Sequence, residues 1–309
     1  MYEDPAAELS VFPQGGRVLA IASAGDTAAA LARAGHLVTA VDISATQLAY
    51  AKARLSGAPA TKGTAERLQA VARQAARAVQ PAWRAAAMTT FLQLDDVDAQ
   101  REHWRRHLDR PRLGALMRLA FASAGLVRRD LWRSLPPRMD LVLRRRLADG
   151  VSRHPNAANP WAWRLLLGRE CPAAPPETPV TSGIEWVHDD VVKHLWSVPR
   201  GWYEAATLSN VLDGPPPAFA GALRDALRHG VRAGGPVVLR TFGNAPPLPG
   251  DPLPDRSLLW GAVVRLNPGT TVVRRHPGTA AVQSHPGTAA VRRHPGTVVV
   301  RPHPLTAGA

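Results

Sequence analysis

The stretch Arg17–Asp42 constrains this chain more than any other. Val18–Ala22 is a short apolar run that reads as a buried strand. Ser23-Ala24-Gly25-Asp26 is a turn of small residues, and Thr27–Ala34 is an alanine-rich helix with an apolar stripe, stopped by Gly35. Leu37–Val41 is a second strand, closed by Asp42. A strand–turn–helix–strand unit of this kind belongs to a doubly wound sheet. There a nucleotide or nucleoside lies across the carboxyl ends of the strands, and an acid about 20 residues on holds the ribose. Gly25 is the one glycine in the turn, so the three-glycine dinucleotide fingerprint is missing. A nucleoside without phosphate, such as S-adenosylmethionine, needs only a shallow turn and the acid. An NAD(P) site and a βαβ unit without a ligand stay open at this point.

Periodicity extends the reading along the chain. Ser44 caps a helix running to Leu55, and residues 64–79 repeat the helical pattern with Leu68, Val71, Ala75 and Val79. From Pro81 to Gly168 the chain reads as helix, clearest at Ala99–Leu108, Leu113–Ala124 and Met139–Ala148, with breaks at Pro111, Pro136-Pro137 and Pro155. Strands return at Ile184–Val187, Tyr203–Leu208 and Pro236–Thr241, alternating with helices Asp190–Trp196 and Pro217–His229; Leu258–Arg265 is a last strand. Residues 170–183 and 244–256 are proline-rich connectors. The expected fold is therefore α/β: an open, mostly parallel, doubly wound Rossmann sheet with a large helical insertion, residues 60–170, between its second and third strands. From 266 the chain becomes a nonapeptide repeat of His-Pro-Gly-Thr units, which reads as a disordered tail because one turn every nine residues buries little.

Composition narrows the function classes. No run of 18 apolar residues and no basic-then-apolar leader occurs, so neither a membrane span nor a secretory signal is expected. The single cysteine, Cys171, excludes an internal disulfide and a cysteine metal cage, and a cytoplasmic setting follows. The net charge of +14 is unevenly spread: residues 81–170 hold 17 arginines against 9 acids, and residues 265–309 hold 6 arginines and no acid. A localised basic surface suits nucleic acid or anionic lipid, though an arginine-rich coding bias contributes and no dedicated nucleic-acid motif is found. Trp83, Trp104, Trp132, Trp161 and Trp163 share the arginine-rich segment, which fits either a membrane interface or core packing. His103 and His107 have metal-ligand spacing, but the arginines beside them favour a solvated face.

Four strand ends carry small or polar residues: Ser23, Gly25 and Asp26; Asp42; His188, Asp189 and Asp190; and Ser209, Asn210 and, on the loop, Asp213. In an open α/β sheet all of them face one crevice. Helix capping by Asp190 and a simple turn at Ser209-Asn210 are the structural alternatives.

The segments Glu3-Asp4-Pro5, IASAGD (21–26), AVDIS-x-x-Q (40–47), NPW (159–161), IEWVHDD (184–190), LSNVLDG (208–214), VVLR (237–240) and DRSLLWGAVV (255–264) carry a resemblance. Over residues 2–265 the chain resembles the BtaA-like S-adenosylmethionine:diacylglycerol 3-amino-3-carboxypropyltransferases of betaine-lipid synthesis. It departs from them at Asp189-Asp190, where Gly-Asp is common, and at Ser44-Ala45, where Asn-Pro is. The resemblance implies a methyltransferase-like sheet, residues 1–265, that binds S-adenosylmethionine and transfers its aminocarboxypropyl arm to a lipid hydroxyl. It implies Gly25 and Asp26 near the methionine part, Asp42 on the ribose and Asp190 near the adenine, with Ser23, Gln47 and Asp189 also in the cofactor site. Ser209, Asn210 and Asp213 would lie at the transfer site, with His188 or Asp213 as the base that an acceptor hydroxyl needs. The expected acceptor is diacylglycerol, with the basic segment touching an anionic membrane at its inner face. A methyltransferase with the same cofactor, a non-catalytic paralogue and an NAD-dependent oxidoreductase are the competing readings.

Overall fold

A computed structural model describes residues 2–266, apart from 60, 62, 128–137, 176–177, 181 and 247. They belong to one unit, Met1–Thr271. The repeat tail and Trp132 lie outside the described residues. Five strands run parallel: β1 (Arg17–Ile21), β2 (Leu37–Asp42), β3 (Ile184–His188), β4 (Ala205–Ser209) and β5 (Val237–Thr241). Two short ones, β6 (Asp251–Pro252) and β7 (Ala262–Leu266), complete a mixed seven-stranded sheet in the order β3-β2-β1-β4-β5-β7-β6. The sequence turns back on itself between β1 and β4, and this reversal is the Rossmann-like switch point, the place where open sheets of this kind take their ligands.

The central strands β1, β2, β4 and β5 bury both faces, as a parallel sheet covered by helices must. Side chains alternate: Val18 and Ala20 pack with Val38, Ala40, Ala28 and Leu31, while Leu19 joins Val41, Leu195, Leu223 and Leu227 on the opposite face. The first cluster is roofed by α1 (Ala6–Leu9), α2 (Asp26–Arg33) and α3 (Ala45–Leu55). The second lies under α10 (Val191–Ser197) and α11 (Pro217–Gly230).

Between β2 and β3 the chain also forms α4 (Thr64–Val79), α5 (Ala85–Leu92), α6 (Val97–His103), α7 (Pro111–Val127), α8 (Met139–Gly150) and α9 (Pro160–Ala162). These helices share a core of their own, which includes Trp83, Met88, Phe91, Trp104, Leu108, Trp163 and Leu166. The membrane-interface reading of the tryptophans therefore fails for the four that are described. Trp83, Trp104, Trp161 and Trp163 are buried, and the indoles of Trp83 and Trp163 donate to the carbonyls of Leu108 and Asn156 at 3.2 and 3.1 Å. His103 stacks on Phe91, its ring 4.8 Å from that of His107, and burial pushes it below the ordinary histidine range. Among the described residues no group of three or more His, Cys, Asp or Glu side chains could hold a metal ion. No described helix is long and apolar enough to cross a membrane.

The break expected at Pro111 is present: helical structure ends at Leu108, and Pro111 opens α7, where the first turn needs no N–H from it. Two boundaries differ from expectation. Tyr203 stays out of β4 and makes an isolated bridge to Val231. The expected final strand 258–265 shortens to Ala262–Leu266 and runs antiparallel to β5. The connector after β5 contains no helix, so it cannot make the crossover that a parallel neighbour demands. Leu258 leaves the ladder with a positive φ of 70° and buries its side chain in the helical core.

Candidate functional site at the strand ends

The turn after β1 is tight and partly left-handed. Ser23 has φ 45° and Gly25 φ 88°, with the Gly25 amide donating to Ala22 O at 2.8 Å. A Cβ on Gly25 would stand 3.1 Å from Leu55 Cδ1, so both conformation and packing call for glycine. Gln47 reaches back from α3 and donates its amide to the Ser23 carbonyl, clamping the turn. Asp26, first in α2, pairs with Arg54 at 2.5 Å, and Arg54 also donates to Ala24 O at 2.7 Å.

Asp42 stands one strand away, its Oδ1 accepting the Ser44 amide at 2.9 Å. Partial burial lifts its carboxyl above the ordinary range, against the amides of Ser44 and Ser23 and the neighbouring His188. His188 lies opposite Asp42 in the β2–β3 register, exposed, with Nε2 3.0 Å from the Ile43 carbonyl. A carbonyl only accepts, so Nε2 is the donor in this contact. Asp190 caps α10 by accepting the amides of Val192 and Lys193 at 2.9 and 3.1 Å. Asp189 pairs with Lys193 at 3.2 Å and accepts the Asp190 amide.

On the other side of the switch point Ser209 is buried, and its hydroxyl donates to Glu3 at 2.5 Å. Asn210 follows with φ 45°, exposed. Asp213 accepts the Thr241 hydroxyl and the Phe242 amide, joining the loop after β4 to the end of β5. Arg146 of α8 donates to the carbonyls of Leu259 and Phe242 and to Asn244, which ties the helical segment to this edge.

The strand ends thus bring Ser23, Gly25, Asp42 and Gln47 together, with Ser209 and Asn210 across the β1–β4 boundary. His188, Asp189 and Asp190 sit at the outer edge strand. They lie three strand spacings from Ser209, about 14 Å at the usual separation.

The centre of the site is a set of residues to which the sequence reading assigned no role. Glu3 is buried at the switch point and accepts from Thr27, in the first turn of α2, at 2.7 Å as well as from Ser209. Burial opposes its charge, but Arg240 and the two hydroxyls outweigh it and hold the carboxyl below the ordinary range. Arg240 is fully buried within β5. It grips both carboxylate oxygens of Glu8 and donates to Asp4 O at 2.8 Å. Thr207 donates to Glu8 at 2.6 Å, and Arg256 makes a two-pronged contact with Asp4 at 2.6 and 2.9 Å. A signal was available: an arginine directly after the apolar run Val237–Leu239, still within the strand, must find a buried acid, and Glu3-Asp4 and Glu8 form an acidic group.

No family model, curated protein or solved structure matches this chain. Its chemistry has to be read from the site alone. At the first turn of α2, Asp26 is paired with Arg54 and Glu3 binds Thr27, so both carboxylates there are already partnered, while Asp42 stands one strand away.

Proposed function

We propose that this chain binds S-adenosylmethionine across the ends of β2, β1 and β4. In this reading it transfers the 3-amino-3-carboxypropyl arm to a hydroxyl acceptor, with diacylglycerol as the acceptor class. The observation that carries the cofactor is the tight turn of Ser23 and Gly25 at the switch point with the Asp42 carboxylate one strand away, an arrangement that suits a nucleoside without phosphate. Asp42 takes the ribose hydroxyls, since its carboxylate has capacity beyond the Ser44 amide. A mostly parallel sheet with an antiparallel strand beyond β5 is in keeping with the methyltransferase-like fold that the resemblance implies.

A sulfonium offers three electrophilic carbons, and an enzyme chooses among them by the one it holds in line with the nucleophile. Attack of the acceptor oxygen on the γ-carbon of the methionine arm forms a C–O bond and breaks the C–S bond. Methylthioadenosine leaves, and the hydroxyl proton passes to a base. Asp213, on the Ser209 side, is nearer the expected acceptor; His188, beyond Asp42, is on the adenosine side.

The test is incubation of the protein with S-adenosylmethionine and a mixed lipid extract, followed by mass spectrometry of both sulfur products and lipids. Methylthioadenosine with an aminocarboxypropyl lipid is the expected result. S-adenosylhomocysteine would replace this reading by methyl transfer, and the lack of either product would remove the enzymatic reading.

A further inference from the structure

Helix α4 is amphipathic in the sense opposite to the one that packing ordinarily demands. Its polar side faces the protein. Gln69 accepts the Tyr2 hydroxyl at 2.7 Å, Arg73 donates to the carbonyls of Arg164 and Leu165 at 3.4 and 3.2 Å, and Arg77 donates to Leu167 O at 3.1 Å. Its apolar side faces outward: Leu68 is 49% exposed, Val71 63% and Val79 36%, with Ala72 and Ala78 exposed among them. Hydrogen bonds and the buried Ala76 hold this helix to the protein, while its larger apolar side chains are left in water.

The pattern continues on its neighbours. Helix α7 packs on α4 and exposes Leu119 (68%) between Arg112, Arg118 and Ala115; α8 packs on α7 and exposes Leu141 beside Arg138 and Arg145. Leucine and valine interleaved with arginine on adjoining helices match one kind of surface, an apolar layer under negative headgroups. A second copy of this chain would bring the same exposed arginines to the contact.

We propose that the outward face of α4, with Leu119 of α7, docks on an anionic lipid bilayer. The apolar side chains enter the acyl boundary, and Arg112, Arg118 and Arg145 meet lipid phosphates. The surface deepens the reading above, and rests on it only for its purpose. Tyr2 binds α4 through Gln69 and is followed directly by Glu3 of the crevice, so docking would hold the crevice beside the layer that supplies a lipid hydroxyl.

The experiment is co-sedimentation of the full chain with vesicles of phosphatidylglycerol and phosphatidylcholine, or of phosphatidylcholine alone, without S-adenosylmethionine. Cofactor binding is measured separately by calorimetry, so either reading can fail while the other stands. Binding to the anionic vesicles is expected, at least tenfold tighter than to the neutral ones and falling steeply with salt. Leu68→Glu with Val71→Glu should weaken it tenfold or more at unchanged melting temperature, and Leu119→Glu alone provides a second variant on another helix. Trp196→Glu with Trp202→Glu, on two other exposed aromatic positions, should leave it unchanged. Equal binding by wild type and both α4 and α7 variants would overturn the proposal, as would no binding to anionic vesicles. A wild-type dimer by light scattering that the α4 variant converts to monomer would also overturn it, by assigning the face to a second copy.

Discussion

Replacing Arg240 by methionine removes the cation at the centre of the site while keeping much of the side-chain volume. Arg240 has no exposed surface and bonds both oxygens of Glu8 and the Asp4 carbonyl; its charge also faces Glu3. Its loss leaves two buried carboxylates supported only by hydroxyls, from Thr207 in one case and from Thr27 and Ser209 in the other. Breaking a buried pair from one side costs about 3–5 kcal/mol, a large share of the roughly 5–15 kcal/mol that holds a domain folded. In urea, at a slope of about 3 kcal/mol per molar, the midpoint should fall by about 1 M or more. Tryptophan fluorescence reports the transition. Glu8→Leu combined with Arg240→Met should recover at least about 2 kcal/mol relative to the sum of the single changes, because an apolar pair replaces a salt bridge with no charge left over on that side. A loss below about 1 kcal/mol for Arg240→Met, or strict additivity in the double variant, would refute the account of residues 3–8 as the buried floor of the crevice.

Three further outcomes are expected. Burial pushes the Asp255 carboxyl up to about 6, against Ser257 and Arg240, so the folded chain keeps a proton that the unfolded chain releases. That contribution is full below about pH 4 and is lost as pH rises through 6, about 3 kcal/mol in all; melting curves of Asp255→Asn should be flatter over this window, and curves parallel to wild type would contradict it. Asp42→Ala should weaken S-adenosylmethionine binding by about 1.5–3 kcal/mol in calorimetry, and unchanged affinity would take Asp42 out of the site. Gly25→Ala forces a Cβ into a left-handed turn against Leu55, and should cost about 1–3 kcal/mol in thermal unfolding; a neutral result would mean the turn can relax.

Local patterns made much of this molecule legible. The alternation of Val18, Leu19 and Ala20, the turn at Gly25, and Asp42 after an apolar run each report on their own neighbourhood, and the parallel sheet follows from repeating them. What stayed hidden depends on partners far along the chain. Arg240 meets Glu8 across 232 positions, and nothing near either residue names the other. Spacing placed Leu68, Val71 and Val79 on one side of a helix but could not say that this side faces water, because Arg73 and Arg77 found carbonyls to bind within the protein. The tryptophans were ambiguous for a similar reason: indole beside arginine suits a core and an interface equally, until Leu108 and Asn156 supply the acceptors. At the site, Asp42 was legible as a strand-end acid, whereas the Glu3 carboxylate between Thr27 and Ser209 emerges only from assembly.

The bonds from Tyr2, Glu3, Asp4 and Glu8 to Ser209, Arg240, Arg256 and Trp260 also set a schedule for biogenesis. A ribosome releases the first residues long before the last of these partners has left its exit tunnel. Until then the acidic leading segment has no seat, and the strands that will flank it are still being made. The seat at the switch point can close only after residue 260 has been made, so a product stalled before it would carry a largely finished helical layer with residues 2–8 unseated.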